Sequence, residues 1–319
     1  LGDVYNTHPK RIKKLLKHRL NEFDVIHDNQ SLCYELLFFQ KKIPLVTTIH
    51  HPISKDLKFQ LKSTKSIFLK FLMIRWHSFL RMQIKVAKKL NSVIVVSKSS
   101  KQDIHDDFGL KKEAMKVILN GIDTEAFFPD ENIKKIPFRI VTSASADVPL
   151  KGLDYLLEAF SEVIKIFPDS TLQIIGSSKQ GGHTSRKIND LNIKEKVQFN
   201  NDLSFKEVRD LYCSADVVVI PSLYEGFGFA IGEAMACRVP VITTSGGAIP
   251  EVIEDCGILV SPGNSKELEE AMIKLLPDEE KKSFFAEKGF NRIIEHLKWE
   301  KVAKLMTESY ETEINRITN

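Results

Sequence analysis

The sequence is poor in the residues that build metal or disulfide frameworks. Its four cysteines, Cys33, Cys213, Cys237 and Cys256, are scattered over 319 residues, and no two form a C-x-x-C pair. That argues against a structural zinc site and a disulfide scaffold, and it suits a reducing cytoplasm. No apolar run reaches the roughly 18–20 residues that a membrane-spanning helix needs, and no secretory signal pattern is evident. Internal repeats and low-complexity segments are missing as well.

What remains is the composition of a globular protein, 43% hydrophobic with a net charge of +4, and long enough for two domains. The charge is unevenly spread. Residues 1–120 hold 23 Lys/Arg and 10 Asp/Glu, whereas residues 121–319 hold 23 and 32. A basic half and an acidic half point to a division of labour.

The second half alternates short β-rich runs with helical patterns. The runs are RIVTSAS (139–145), TLQIIGS (171–177), KVQFN (196–200), DVVVIPS (216–222), VPVITTS (239–245) and GILVSP (257–262). Several are apolar without alternation, as strands covered on both faces are. Between the first two, Leu153, Leu156, Leu157, Phe160, Val163, Ile164 and Phe167 fall on one helical face, and Pro168 stops the helix. Helical patterns also fit 204–214, 229–237, 265–276 and 279–296. The alternation predicts an α/β fold with a parallel sheet.

The first half offers fewer strands: DVIHD (24–28), PLVTTIH (44–50), SVIVVS (92–97) and KVILN (116–120). Asn-Gly, two prolines and charges replace periodicity near 120–137 and mark a connection. The expected organisation is a domain over 1–120, a linker over 121–136, a second domain over 137–296 and a C-terminal helix over 297–319 that packs back on the first domain. Four strands beside six, in a chain that begins at Leu1, predict a first domain lacking its N-terminal portion.

Residues 53–90 carry ten Lys/Arg against one Asp, interleaved with apolar residues. This is expected to be a basic amphipathic helix, either packed on the core with a solvated basic face or lying on an anionic membrane. Nucleic acid is the weaker partner, because no recognised binding motif accompanies the charge.

The segment YEGFGFAIGEAMA (224–236) carries the chemistry. It follows a strand, and its glycines Gly226, Gly228 and Gly232 let a backbone approach a ligand at a helix start, where free N–H groups favour an anion. A nicotinamide dinucleotide fits poorly, since Ser222 to Glu225 intervene between the strand and the first glycine. A plain strand-to-helix turn with two solvated glutamates stays open. A sugar nucleotide uses more of the segment: the diphosphate takes the helix end, while Glu225 and Glu233 accept protons from sugar and ribose hydroxyls. Lys151, in VPLKGLD after the first strand of this half, is the candidate cation for a leaving diphosphate.

PSLYEGFGFAIGEAMACRVPVITTSGGAIPEVI resembles the E-x7-E region of retaining glycosyltransferases of family 4, which have the GT-B fold. NGIDTEAFFP resembles the interdomain connection, KGLDYLLEAF the donor-phosphate lysine segment, and KVQFNNDLSFKEVRDLYCSADVVVIPS the base-side strand and following helix. TTIHHP resembles the acceptor-side histidine segment. The likeness covers residue 23 to the C-terminus.

The resemblance implies two Rossmann-like domains facing a cleft and metal-independent sugar transfer from a nucleoside-diphosphate sugar with retention, without a cofactor. It implies that Glu225 contacts the transferred sugar and Glu233 the ribose. Backbone N–H groups of Phe227, Gly228, Phe229 and Ala230 bind sugar hydroxyls and phosphates. Lys151 stabilises the departing diphosphate, Val197 and Gln198 meet the base, and His50 reaches the sugar or acceptor, with His51 and His27 as weaker candidates. One departure is Ala146, which stands where the family carries an arginine. The alternatives are an epimerase or phosphorylase of the same fold and a non-catalytic sugar-nucleotide-binding or membrane-docking protein. The expected location is cytoplasmic, with a peripheral place on the inner face of a membrane through 53–90.

Overall fold

The computed structural model describes residues 4–177, 179 and 181–318. Among them ten strands form two sheets. The first holds β1 (Ile26–Asn29), β2 (Leu45–Ile49), β3 (Val93–Val95) and β4 (Met115–Val117), in the order 1-2-3-4. The second holds β5 (Arg139–Ser143), β6 (Thr171–Ile175), β7 (Val197–Asn200), β8 (Val217–Ile220), β9 (Val241–Thr244) and β10 (Ile258–Val260), in the order 10-9-8-5-6-7. Every neighbouring pair is parallel. All ten strands lie within or across the β-rich runs of the sequence.

The chain divides into two compact units, one from the N-terminus to Leu119 together with Val302 onward, the other Asn120–Lys301. Residues 121–136, expected as an interdomain linker, go with the second unit. The helix Trp299–Thr318 lends the first unit its residues from Val302 on.

In the first unit the period of two sorts β2 and β3 between two cores. Leu45, Ile49, Val93 and Val95 join Leu36, Ile104 and Phe108 on one face. Val46 and Ile94 join Ile118 on the other, where Val302, Met306 and Tyr310 of the C-terminal helix cover them. Lys116 Nζ donates to Ser309 Oγ at 2.8 Å alongside.

The second unit is built around the helix Leu153–Ile166. Leu153, Leu156, Leu157, Phe160 and Val163 are buried against β-strand residues Ile140, Leu172, Ile174, Val217 and Val219 and against the helix Ser265–Leu275. Each such side chain contributes about 1.5–3 kcal/mol through burial. Strand order reverses between β5 and β8, and in an open parallel sheet the ligand crevice lies beyond the carboxyl ends of such neighbours.

Residues 53–90 depart from the expected single amphipathic helix. They form three helices, Ile53–Ser63, Ile67–Trp76 and Leu80–Ala87, with a 3₁₀ turn at His77–Phe79 before the last. Ser66 caps the second by accepting from the Leu69 N–H. Apolar residues recur on every side of Ile67–Trp76, so no single face can turn inward, and it buries none of its residues.

Candidate functional site

Lys151 ends the 3₁₀ turn Pro149–Lys151 that follows β5. Gly152 closes this turn with φ of 65° and starts the helix Leu153–Ile166. A Cβ at Gly152 would stand 2.0 Å from the carbonyl oxygen of Pro221, so only glycine lets the lysine turn press against the loop after β8. The Leu223 N–H donates to the Leu150 carbonyl at 2.8 Å and ties the two loops together.

The loop after β8 carries Glu225 to the same place. Lys151 Nζ donates to Glu225 Oε1 at 2.8 Å, and Ser222 Oγ donates to the same oxygen at 2.7 Å. The carboxylate is mostly covered, whereas the ammonium group is more exposed. The Glu225 backbone is held from its other side by the loop after β9. Its carbonyl accepts from the Ala248 N–H at 2.9 Å, and it bridges to Gly247. Thr244 Oγ1 donates to the Ser222 carbonyl, and Cβ atoms at Gly246 and Gly247 would stand 2.4 Å and 2.3 Å from the carbonyl oxygens of Leu223 and Glu225. Ser222, Thr244, Gly246 and Gly247 were not singled out by sequence reasoning; the Gly-Gly pair directly after a strand was the available signal.

Gly228, with φ of 101°, begins the helix Phe229–Ala236, which has no side-chain cap. Its first-turn N–H groups, those of Phe229 and Ala230 among them, therefore have no side-chain cap and form the kind of helix start that suits an anion. Phe227 is buried and stacks edge-on against the half-exposed Phe229, ring centroids 5.0 Å apart. Glu233 lies one turn inside this helix. Its carboxyl group has no hydrogen-bond or ion-pair partner among the described residues, and burial pushes it up to about 7. Burial and the nearby Glu233 charge also raise the phenol of Tyr212. Behind the helix, the buried thiols of Cys213 and Cys237 share a hydrogen bond, which draws Cys213 down to about 7.

Not every expected residue meets this cluster. Val197 and Gln198 stand at the entering end of β7, opposite Leu172 and Gln173, and Val197 packs on the core. The carboxyl end of β7, level with that of β5, is Asn200, paired with Ile175. Ala146, where the resemblance expects arginine, sits in the β5 loop, donating to the Ser177 carbonyl at 3.0 Å.

His50 belongs to the other unit, at the carboxyl end of β2. Its ring Nε2 is 2.6 Å from Asn29 Oδ1, its N–H donates to Gln30 Oε1, and its carbonyl accepts from Ser100 Oγ. Burial first, then the charges of His51 and His27, lower its pKa, so the ring is neutral at pH 7. His27 is engaged on both nitrogens, by Thr48 Oγ1 at 2.8 Å and Tyr310 Oη at 2.9 Å. His51 pairs with Asp56 at 2.9 Å. His27 is thus occupied on both ring nitrogens and His51 by a carboxylate, whereas the His50 ring bonds to Asn29.

Residues 123–292 match the family described as Glycosyl transferases group 1, and residues 4–126 match that described as Glycosyltransferase Family 4. The MMP alpha-(1->4)-mannosyltransferase of Mycolicibacterium hassiacum is 36% identical over 96% of this chain and 75% of its own length. A probable sucrose-phosphate synthase of Thermosipho melanesiensis is 33% identical over 69% of this chain and 54% of its own. Among solved structures, the sucrose-phosphate synthase of Thermosynechococcus elongatus superposes with a TM-score of 0.79 at 21% identity, over 98% of this chain and 79% of that one. Anabaena HepE in complex with UDP-glucose superposes with a TM-score of 0.77 at 20% identity, over 95% and 82%.

Proposed function

The chain belongs to the group 1 glycosyltransferases and has the GT-B fold, and from that premise we propose that it moves a hexosyl group from a nucleoside-diphosphate sugar to a hydroxyl acceptor, with retention and without a resident metal ion. The observation that carries this reading is the Lys151–Glu225 pair at the point where strand order reverses, beside an uncapped helix start.

In the free protein Lys151 and Glu225 neutralise one another. An entering diphosphate draws Lys151 Nζ to its oxygens and is seated on the N–H groups of Gly228, Phe229 and Ala230. Glu225 then exchanges its lysine partner for hydroxyls of the transferred sugar. Glu233, unpaired and half-buried, accepts the ribose hydroxyls once it is ionised. The base is placed against β7, toward its carboxyl end at Asn200, on the strand that also carries Val197 and Gln198. His50, neutral, serves the sugar or acceptor as a hydrogen-bonding group.

Chemistry follows from the same groups. As the glycosidic bond breaks, negative charge develops on the diphosphate, where Lys151 and the helix end stabilise it. The acceptor hydroxyl enters on the face the diphosphate leaves, and its proton passes to a phosphate oxygen. No side-chain base is needed for that transfer. The relatives named as mannosyltransferases make a mannosyl donor the first to test, with UDP-glucose beside it. The proposed location of the reaction is the cytoplasm, in keeping with the scattered free cysteines.

The test is turnover by the wild-type chain and by Glu225→Ala with GDP-mannose and UDP-glucose, read as nucleotide release and as product configuration by NMR. An α-linked product from an α-linked donor, undiminished by EDTA, supports the reading. Loss of transfer with retained donor binding in Glu225→Ala supports the role of that acid. Donor binding without turnover in either protein identifies a binder and overturns the enzyme reading, and an inverted or EDTA-sensitive reaction overturns its retaining, metal-independent form.

A further inference from the structure

The helix Ile67–Trp76 is packed inside out. Its partly covered residues are Lys70 and Met73, while Ile67 is 85% exposed, Phe68 69%, Phe71 61%, Ile74 55% and Trp76 54%. The charge around it is of one sign. No acid occurs between Asp56 and Asp103, a stretch of 46 residues that holds eleven Lys/Arg. The acids at its borders are spoken for: Asp56 pairs with His51, Asp103 with Lys55 and Asp107 with Lys58. Lys62, Lys65, Lys70, Arg75, Arg81 and Lys85 take part in no ion pair among the described residues.

We infer that this helix docks the protein on an anionic lipid surface, with Phe68, Phe71 and Leu72 entering the headgroup boundary and the surrounding Lys/Arg facing lipid phosphates. Three observations select a lipid over other occupants. First, an interfacial segment needs exposed apolar side chains together with basic ones, and both are concentrated here. Second, a two-fold contact with another copy would set this acid-free segment against itself, with cation facing cation. Third, ten residues span about 15 Å, too short to cross a bilayer, and no helix among the described residues is long and apolar enough to do so, so the segment lies at the surface. Trp76, at the end of the helix next to Arg75, has the side chain that favours headgroup depth. The inference does not depend on sugar transfer and survives if that reading fails.

The experiment uses the protein expressed from its full reading frame, carrying Trp299→Phe so that Trp76 is the reporter within this chain. Vesicles of phosphatidylcholine, with or without about a third phosphatidylglycerol, are the probes. Expected are co-sedimentation with the anionic vesicles only, a blue-shifted Trp76 emission and its quenching by bromine-labelled acyl chains. Lys65→Gln and Arg75→Gln, both exposed on the side of Phe68 and Leu72, should each weaken partitioning roughly fivefold, as should added salt. The double change Phe68→Ser with Phe71→Ser should abolish quenching while circular dichroism and thermal unfolding stay unchanged.

Equal binding to neutral vesicles, or none at low salt, overturns the proposal. So does a Trp76 already shielded from acrylamide without lipid, which would mean that polypeptide covers the helix. A lipid-independent dimer that Phe71→Asp dissolves overturns it in favour of a second copy.

Discussion

Lys151 Nζ and Glu225 Oε1 stand 2.8 Å apart although 74 residues separate them in the chain. The two loops that carry them are hydrogen-bonded to each other, so the pair is a property of the crevice and not of one flexible side chain. Lys151→Ala and Glu225→Ala should each lower kcat by roughly 10²–10³-fold, the cost of removing one preorganised charge from a developing transition state. Because the two act as a unit, the double variant should lose far less than the product of the single losses. Steady-state kinetics on the four proteins checks this.

Glu233 predicts a pH dependence. Burial raises its carboxyl from the ordinary range to about 7, and only the carboxylate accepts two hydroxyls. Donor affinity should therefore fall as pH drops from 8 to 6, and this dependence should flatten in Glu233→Gln. The stability effect has the opposite sense. A raised folded-state pKa gives stability that is present below the unfolded value and lost as pH rises through about 7. Glu233→Gln should raise Tm at pH 8, by at most about 3 kcal/mol of stability, and leave it unchanged near pH 4. Calorimetric titration and thermal scans at several pH values separate the two.

Gly152→Ala should be disproportionately damaging for one methyl group. The left-handed backbone disfavours it, and the new Cβ collides with the Pro221 carbonyl at 2.0 Å. The lysine turn must move off the loop after β8. We expect a loss of about 1–3 kcal/mol in stability, with kcat falling more than donor affinity. Denaturant unfolding beside kinetics measures both.

A structural control comes from the buried pair Lys282–Asp216, whose Nζ–Oδ1 distance is 2.6 Å with both side chains almost fully covered. Asp216 also accepts from the Phe138 N–H at 2.9 Å, which fixes the carboxylate just before β8. Lys282→Met leaves that charge unpaired and should cost about 3–5 kcal/mol, while Asp216→Asn combined with Lys282→Met should recover much of it. Activity per folded molecule should not change. Urea unfolding of the single and double variants is the measurement.

The strands were legible because each was a short apolar run bounded by turn residues, and the helix Leu153–Ile166 because its apolar stripe was complete. Lys98–Phe108 escaped notice although Ser97 caps it and Gly109 ends it, since only Ile104 and Phe108 mark its buried apolar face. Residues 53–90 misled for the opposite reason: abundant apolar residues suggested one amphipathic helix where Ile67–Trp76 has no inward face. At the site, Glu225, Glu233 and Lys151 were readable from spacing and residue type. Val197 and Gln198 lie at the entering end of β7 and Asn200 at its carboxyl end; the sequence located the strand but not its direction in the sheet.

Local order and residue chemistry were determined by the sequence itself: ten parallel strands, a glycine-opened helix, two acids seven residues apart and a lysine after the first strand of its sheet. Strand order was decided only by the tertiary structure. It brought β5 beside β8, paired Lys151 with Glu225, left Glu233 unpaired and gave His27 a tyrosine 283 residues away. These outcomes depend on distances across the chain, and burial and pairing energies exist only once those distances are set.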